Sequence, residues 1–479
     1  KEEGIIEDFE VSDFLKPHQK DIVKWAVRGG RRALFESFGL GKTIQQLEIC
    51  RIIISKHSGK ALIVCPLGVK QEFYKDALKF YGLKLQYIKT QEEAEKADNE
   101  TILITNYERV RDGNIDPKYF TVTSLDEASV LRSYGSLTYQ TFLDKFKGVK
   151  YKYVCTATPS PNKFKELIHY AGYLEIMDTG QALTRFFKRD STKANNLTLH
   201  PHKETEFYLW LNSWAIFVTK PSDLGYSDEG YNLPKLNIVY HKLSVDHSTA
   251  GADRDGQVKM FRNAALGLKD ASKEKRDSID IRVQKMSEIL NNEPDRHAII
   301  WHDLENERHA IKKAEPSAIE VFGTQDLDVR EQRIIDFSEG KYKWLATKPE
   351  ISGQGCNFQY YCSKAIFLGI GYKFNDFIQA IHRIYRFMQQ QECDIHIIYT
   401  ESEEDVLKTL LKKWENHNKL VEKMTDIIKE NGLNIIHSKE KLMRTLGIER
   451  KEEKGNNYHI IHNDCVVETQ NMADNSIDE

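Results

Sequence analysis

The feature that most narrows the fold of this chain is a rhythm that runs through it twice. Apolar runs of strand length, Arg31–Phe35, Ala61–Cys65, Thr101–Thr105, Phe120–Leu125 and Tyr151–Thr158, alternate with helical patterns such as Thr43–Ile54 and Val69–Gly82. The same alternation resumes with His297–His302, Ser317–Gly323, Tyr342–Lys348, Lys364–Ile370 and Cys393–Thr400, separated by helical stretches such as Asp328–Gly340 and Phe374–Met388. Strands that alternate with helices must cross over between parallel neighbours, and the helices then cover both faces of the sheet. The expected fold class is therefore α/β, with two parallel-sheet lobes in tandem. Residues 181–234 break the rhythm with clustered aromatics and a turn-rich stretch, and read as an insertion between lobes. Residues 401–454 carry amphipathic helical patterns that end in the polar linker candidate 451–457.

Composition sets outer limits on function. The 479 residues correspond to about three domains at roughly 150 residues each. Apolar residues at 40% and charged residues at 29% are those of an ordinary globular protein. Lys and Arg total 69 against 72 Asp and Glu, so bulk charge does not announce nucleic acid. The last 25 residues, with five acids and no Lys or Arg, account for the whole deficit. Seven cysteines without a CxxC pair indicate neither a zinc ribbon nor a disulfide framework, and the expected compartment is a reducing cytoplasm. No apolar stretch is long enough to span a membrane and no signal peptide is legible, so no membrane partner is expected. Lys1 in place of an initiator Met suggests a fragment of something larger.

The strongest chemical signal is a phosphate loop. Strand 31–35 runs through Glu36-Ser37-Phe38-Gly39-Leu40-Gly41-Lys42-Thr43 directly into a helix, where loop and helix N–H groups converge on an anion. Lys42 would meet the β- and γ-phosphates and Thr43 would ligate Mg2+. Glu36 stands where the strict GxxxxGK[ST] pattern has its first Gly. A second element is Asp126-Glu127-Ala128-Ser129 at the end of strand 120–125, at the carboxyl edge where parallel sheets bind ligands. Asp126 would hold Mg2+ and Glu127 would orient the attacking water. A third is Thr156-Ala157-Thr158, whose hydroxyls could couple that carboxylate to the second lobe. In the second lobe, Gly353 lies in the Gly-rich loop 352–357. Gln379, His382, Arg383 and Arg386 recur at helical spacing and are expected on one helix face, with the arginines reaching a nucleotide between lobes.

Taken in order, Lys16-Pro17-His18-Gln19, GLGKT (39–43), IVCPL (63–67), ITNYE (104–108), DEAS, TATP (156–159), IIW (299–301), SGQGCN (352–357) and QAIHRIYR (379–386) resemble the superfamily-two helicase motifs. They are most similar to the SWI/SNF-type branch of duplex-DNA translocases, in compact bacterial or phage form. The resemblance implies two RecA-like lobes, 12–180 and 235–400, flanking the 181–234 insertion and followed by the helical extension 401–454. ATP and Mg2+ are the implied cofactors and duplex DNA the implied partner. Gln19 would recognise adenine; Gly39, Gly41, Lys42, Thr43, Gly353 and Gln379 would contact the nucleotide. Arg383 and Arg386 would be arginine fingers. Pro66, Asn106, Tyr107, Trp301 and Asn357 fall in motifs that face the nucleic-acid backbone in relatives. Two positions depart from the family: Ser129 stands where many relatives have His, and Cys356 where an aliphatic residue is common. An RNA or single-strand helicase and an ATP-gated DNA clamp are the competing readings. Residues 455–479, through Tyr458–Cys465 and Met472–Asp478, resemble the opening of DNA amino-methyltransferases. S-adenosylmethionine would enter only through the rest of that domain, with its catalytic motif expected beyond Glu479.

Overall fold

The structure, a computed structural model, describes residues 4–160, 164–189, 197–244, 275–352, 357–371, 373–433, 451–455 and 458–462. Each half contains a wholly parallel sheet, as the alternation requires. The first holds β1 (Arg31–Glu36), β2 (Ala61–Val64), β3 (Gln86–Tyr87), β4 (Ile102–Thr105), β5 (Val122–Asp126), β6 (Tyr151–Cys155) and a further strand described below. β2, β4, β5 and β6 are buried at every position; β2 and the first three residues of β4 read as continuous apolar runs, whereas β5 and β6 bury Thr123, Ser124, Asp126 and Lys152 among their apolar residues. Each Val, Leu or Ile so covered is worth about 1.5–3 kcal/mol of burial.

Segment 181–234 corrects the expectation of an insertion between lobes. After a hairpin of β7 (Phe187–Arg189) and β8 (Leu197–Leu199), its strand β9 (Ala215–Val218) pairs in parallel with β1. The sheet order is β3-β4-β2-β5-β6-β1-β9. The physical reason lies in the aromatics that broke the rhythm: Phe186, Phe187, Trp210, Trp214 and Phe217 are buried in the first lobe's core. An insertion exposed to water could not hide them.

The second sheet comprises β10 (Leu236–Leu243), β11 (His297–Trp301), β12 (Ile319–Val321), β13 (Trp344–Thr347), β14 (Cys362–Phe367) and β15 (Cys393–Thr400), ordered β10-β15-β14-β11-β13-β12. The described part of the helical extension contains a 28-residue helix, Glu404–Asn431, that serves both lobes. Its Val406, Leu407 and Leu410 join the second lobe's core, and its Leu420, Met424 and Ile428 join the first's.

One further expectation changes. The linker candidate 451–457 begins as strand β16 (Lys451–Lys454), which pairs antiparallel with β17 (His459–His462). A side-chain hydrogen bond between the two strands supports it, with His459 Nε2 2.7 Å from Glu452 Oε1. The rest of the stretch that resembles a methyltransferase opening, Met472–Asp478 included, lies outside the described residues. So does Gly353. Among the described residues, no helix is long and apolar enough to cross a membrane.

Candidate active site

Three adjacent strands, β1, β6 and β5, bring the separate motifs together at one sheet edge. β1 ends at Glu36 and the chain turns through residues 37–41 into helix Lys42–His57. Gly39 and Gly41 hold left-handed backbones, at φ +86° and +89°. Neither has room for a side chain: a Cβ on Gly39 would lie 2.7 Å from the Cβ of Phe387, and one on Gly41 would strike the Gln19 carboxamide. The loop thus needs glycine both for its turn and for close approach. Lys42 Nζ folds over the loop and donates to the Glu36 and Ser37 carbonyls at 2.8 and 3.1 Å. Thr43 is buried at the first turn of the helix.

The carboxylate pair follows on β5. Asp126 is 5% exposed, and Gln46 Nε2 donates to its Oδ1 at 2.8 Å. Gln46 in turn accepts from Ser124 Oγ at 2.7 Å. Burial, and then the charge of Glu127, hold the Asp126 carboxyl well above the usual carboxylate range. Glu127 adopts φ 48° and ψ 48°, a left-handed conformation uncommon for a side-chain-bearing residue and frequent at functional turns. That turn aims its half-buried carboxylate toward β6, where Thr156 Oγ1 donates to Glu127 Oε2 at 3.2 Å. The same Thr156 hydroxyl accepts from the Thr158 N–H at 3.2 Å. Next to this contact is a cavity of about 250 Å3, in which Ala157, Ser37 and Phe38 face Ile378, His382 and Tyr385 of the second lobe and Trp414 and His417 of the long helix.

From the second lobe, the segment after helix Phe374–Ile381 grips the phosphate loop on two sides. His382 stacks on Phe38 with centroids 4.3 Å apart and planes 17° apart. Phe387 packs on Gly39 and on Tyr231, whose ring lies 4.5 Å away, and Lys16 Nζ sits over both rings at 4.3 and 4.5 Å. The expectation that Gln379, His382, Arg383 and Arg386 share one helix face is corrected. The helix ends at Ile381, and the chain continues in tighter turns, with Arg383 N donating to Ala380 O and Ile384 N to Ile381 O. The His382 ring fixes that departure by bonding through Nδ1 to the Tyr385 carbonyl at 2.8 Å. Gln379 is buried on the helix. Arg383 is 4% exposed, and Arg386 lies close enough to the first lobe to act on Asp76, whose carboxyl is raised to about 6 by burial and by Glu72 against the pull of Lys79, Lys75 and Arg386. We expect Arg383→Ala and Arg386→Ala each to lower kcat on the order of 100-fold, with KM for ATP changed less than about three-fold. Steady-state kinetics checks this, and an unchanged kcat in both variants assigns them to packing.

Other expected site residues serve the frame in this structure. Gln19 does not present its amide to a ligand: Nε2 donates to Leu40 O at 2.8 Å and Oε1 accepts from Lys16 N at 3.0 Å, tying helix Pro17–Gly29 to the loop. Tyr107 is buried and its hydroxyl donates to the Asp126 carbonyl at 2.7 Å. Asn106 caps its helix by accepting from Arg109 N at 3.2 Å. Trp301 is 1% exposed in the second core. These three side chains present no surface to a nucleic-acid backbone here, whereas Pro66 and Asn357 are half-buried. Missed in the sequence were Gln46, Gln45, Phe38, Tyr231 and Phe387. Gln45 and Gln46 had a signal, since polar side chains facing inward from a helix demand buried partners.

The edge suits a magnesium nucleotide. The loop offers N–H groups and an ammonium, and Asp126 and Thr43 are oxygen donors beside it. Among the described residues, no group of three or more His, Cys, Asp or Glu side chains could hold a metal alone. Mg2+ in such sites uses one or two protein oxygens plus phosphate and water.

No curated protein matches the chain. Among solved structures it is similar to one described as the Sulfolobus solfataricus SWI2/SNF2 ATPase core in complex with dsDNA, with 19% identity over 92% of this chain and 98% of that one and a TM-score of 0.40. Residues 18–205 match the family described as the SNF2-related domain, so the stretch that carries the phosphate loop, the Asp126-Glu127 pair and the Thr156–Thr158 link is similar to that family.

Proposed function

We propose that this chain is a DNA-stimulated ATPase that hydrolyses ATP between its two RecA-like lobes and converts lobe closure into movement along duplex DNA. The observation that carries the reading is the meeting, at one sheet edge, of the Lys42 loop, the Asp126-Glu127 pair and the Thr156 hydroxyl, with the His382–Phe387 segment of the other lobe packed onto the same loop. In this reading Lys42 and the loop N–H groups hold the phosphates, and Thr43 and Asp126 hold Mg2+. Bound Mg2+ offsets phosphate charge that grows in the transition state. Glu127, steadied by Thr156, orients the attacking water, and Arg383 and Arg386 approach from the second lobe.

Duplex DNA as the track is supported by the match of residues 18–205 and by the order of the motifs. Tracking a phosphate backbone needs no base code, so little sequence dependence is expected. A DNA-modification setting for residues 455–479 rests on sequence resemblance alone. The test is ATPase activity with duplex DNA, single-stranded DNA and RNA. We expect at least about ten-fold stimulation by duplex, with weaker responses to the others, given the effect of completing a site from a second lobe. Equal stimulation by RNA, or none by any nucleic acid, removes the translocase reading.

A further inference from the structure

Beneath the phosphate loop lies a carboxyl group that the proposed reaction does not use. Glu36 closes β1 at the place where the strict loop pattern has glycine, and its side chain is 0% exposed. Gln45 Nε2 donates to Glu36 Oε2 at 2.8 Å and also approaches Leu40 O at 3.3 Å. The carbonyl of Leu40 is the same one that Gln19 holds, so Glu36, Gln45 and Gln19 form one buried polar cluster under the loop. Two atoms of this cluster are buried with no hydrogen-bond partner among the described residues: Glu36 Oε1 and Gln45 Oε1. Both are acceptors. Leaving two such oxygens orphaned is costly, and one proton removes the conflict, because a neutral carboxylic acid pairs with a carboxamide through two complementary hydrogen bonds.

We propose that Glu36 is a positioning residue of the phosphate loop that works as a neutral acid paired with Gln45, and that loss of its proton weakens the loop's hold on polyphosphate. The inference rests on the nucleotide-site reading above. Three titratable groups face this carboxyl: Lys42 from its own loop, Cys155 from β6, and Tyr231 from the segment before β10. Lys42 alone among them is cationic, and its ammonium already donates to Glu36's own carbonyl. An ionised Glu36 would compete with phosphate for that ammonium and repel the incoming anion across a buried, weakly screened gap. Burial pushes the Glu36 carboxyl up to about 7, against the opposing pull of Lys42 and Gln45. Affinity should therefore be full below neutrality and fall as pH rises through that value.

The experiment measures binding of a fluorescent non-hydrolysable ATP analogue, with Mg2+, to the full chain and to Glu36→Gln between pH 6 and pH 8. The wild-type Kd is expected to weaken about ten-fold more than that of the variant, one proton per binding event. Titration of Asp126 and of the nucleotide is common to both proteins and cancels in the ratio. Should Glu36→Gln fail to fold, calorimetry of the wild type at pH 8 in two buffers of different ionisation enthalpy reads the same event as uptake of about one proton per nucleotide. Parallel pH profiles, or no proton uptake, overturn the role of Glu36 and leave the nucleotide site standing. Absence of binding at every pH overturns the nucleotide site itself.

Discussion

Lys42→Ala is expected to lower ATP turnover about 1,000-fold, the scale of losing a preorganised charge from a phosphoryl-transfer site. The ammonium now spans the Glu36 and Ser37 carbonyls at 2.8 and 3.1 Å, so it is held at the mouth of the loop by two neutral acceptors that phosphate oxygens can replace. A phosphate oxygen adds charge–charge attraction that a neutral carbonyl cannot offer the ammonium, which drives that exchange. The fold should survive the substitution, because Lys42 is only half-buried and the loop is shaped by Gly39 and Gly41 and by the Gln19 tie to Leu40. Turnover, nucleotide affinity and thermal midpoint measured together check the assignment. A large loss of turnover without loss of folding supports it, and near-normal turnover sinks it.

Glu127→Gln should behave differently, with kcat down about 1,000-fold and nucleotide affinity within about three-fold of the parent. Gln keeps the shape of the side chain and can still accept from Thr156, so the 3.2 Å link and the left-handed turn at φ 48° both have what they need. What disappears is the negative charge that, in the proposed reaction, orients and polarises water. Single-turnover hydrolysis alongside nucleotide binding separates the two variants: one loses grip, the other loses only chemistry. Full turnover in Glu127→Gln would move water activation to another group.

Much of the frame is legible without coordinates, for a physical reason. A strand buried on both faces is mostly apolar, so β2 and β4 announce themselves, and glycine at 39 and 41 announces a loop that needs left-handed backbone. The aromatic segment 181–234 misleads because clustered rings and turn residues also describe an insertion. Only the pairing of Ala33 with Ala215 and Phe35 with Phe217 makes its last strand part of the first sheet. The spacing of Gln379, His382, Arg383 and Arg386 misleads in the opposite sense. It continues a helical pattern past Ile381, where the His382 ring bonds to the Tyr385 carbonyl and the chain leaves the helix.

By itself the sequence determines two parallel lobes, a Gly-rich loop between a strand and a helix, and an acidic pair at a strand end, because periodicity and local turn chemistry are written in neighbouring residues. The tertiary structure decides which of these meet. It places β6 between β1 and β5, so that Thr156 reaches Glu127, and it lays Phe387 of one lobe on Gly39 of the other. It also spends Gln19, Asn106, Tyr107 and Trp301 on the frame. Contacts between residues distant in the chain depend on strand order and lobe packing, which no local pattern encodes.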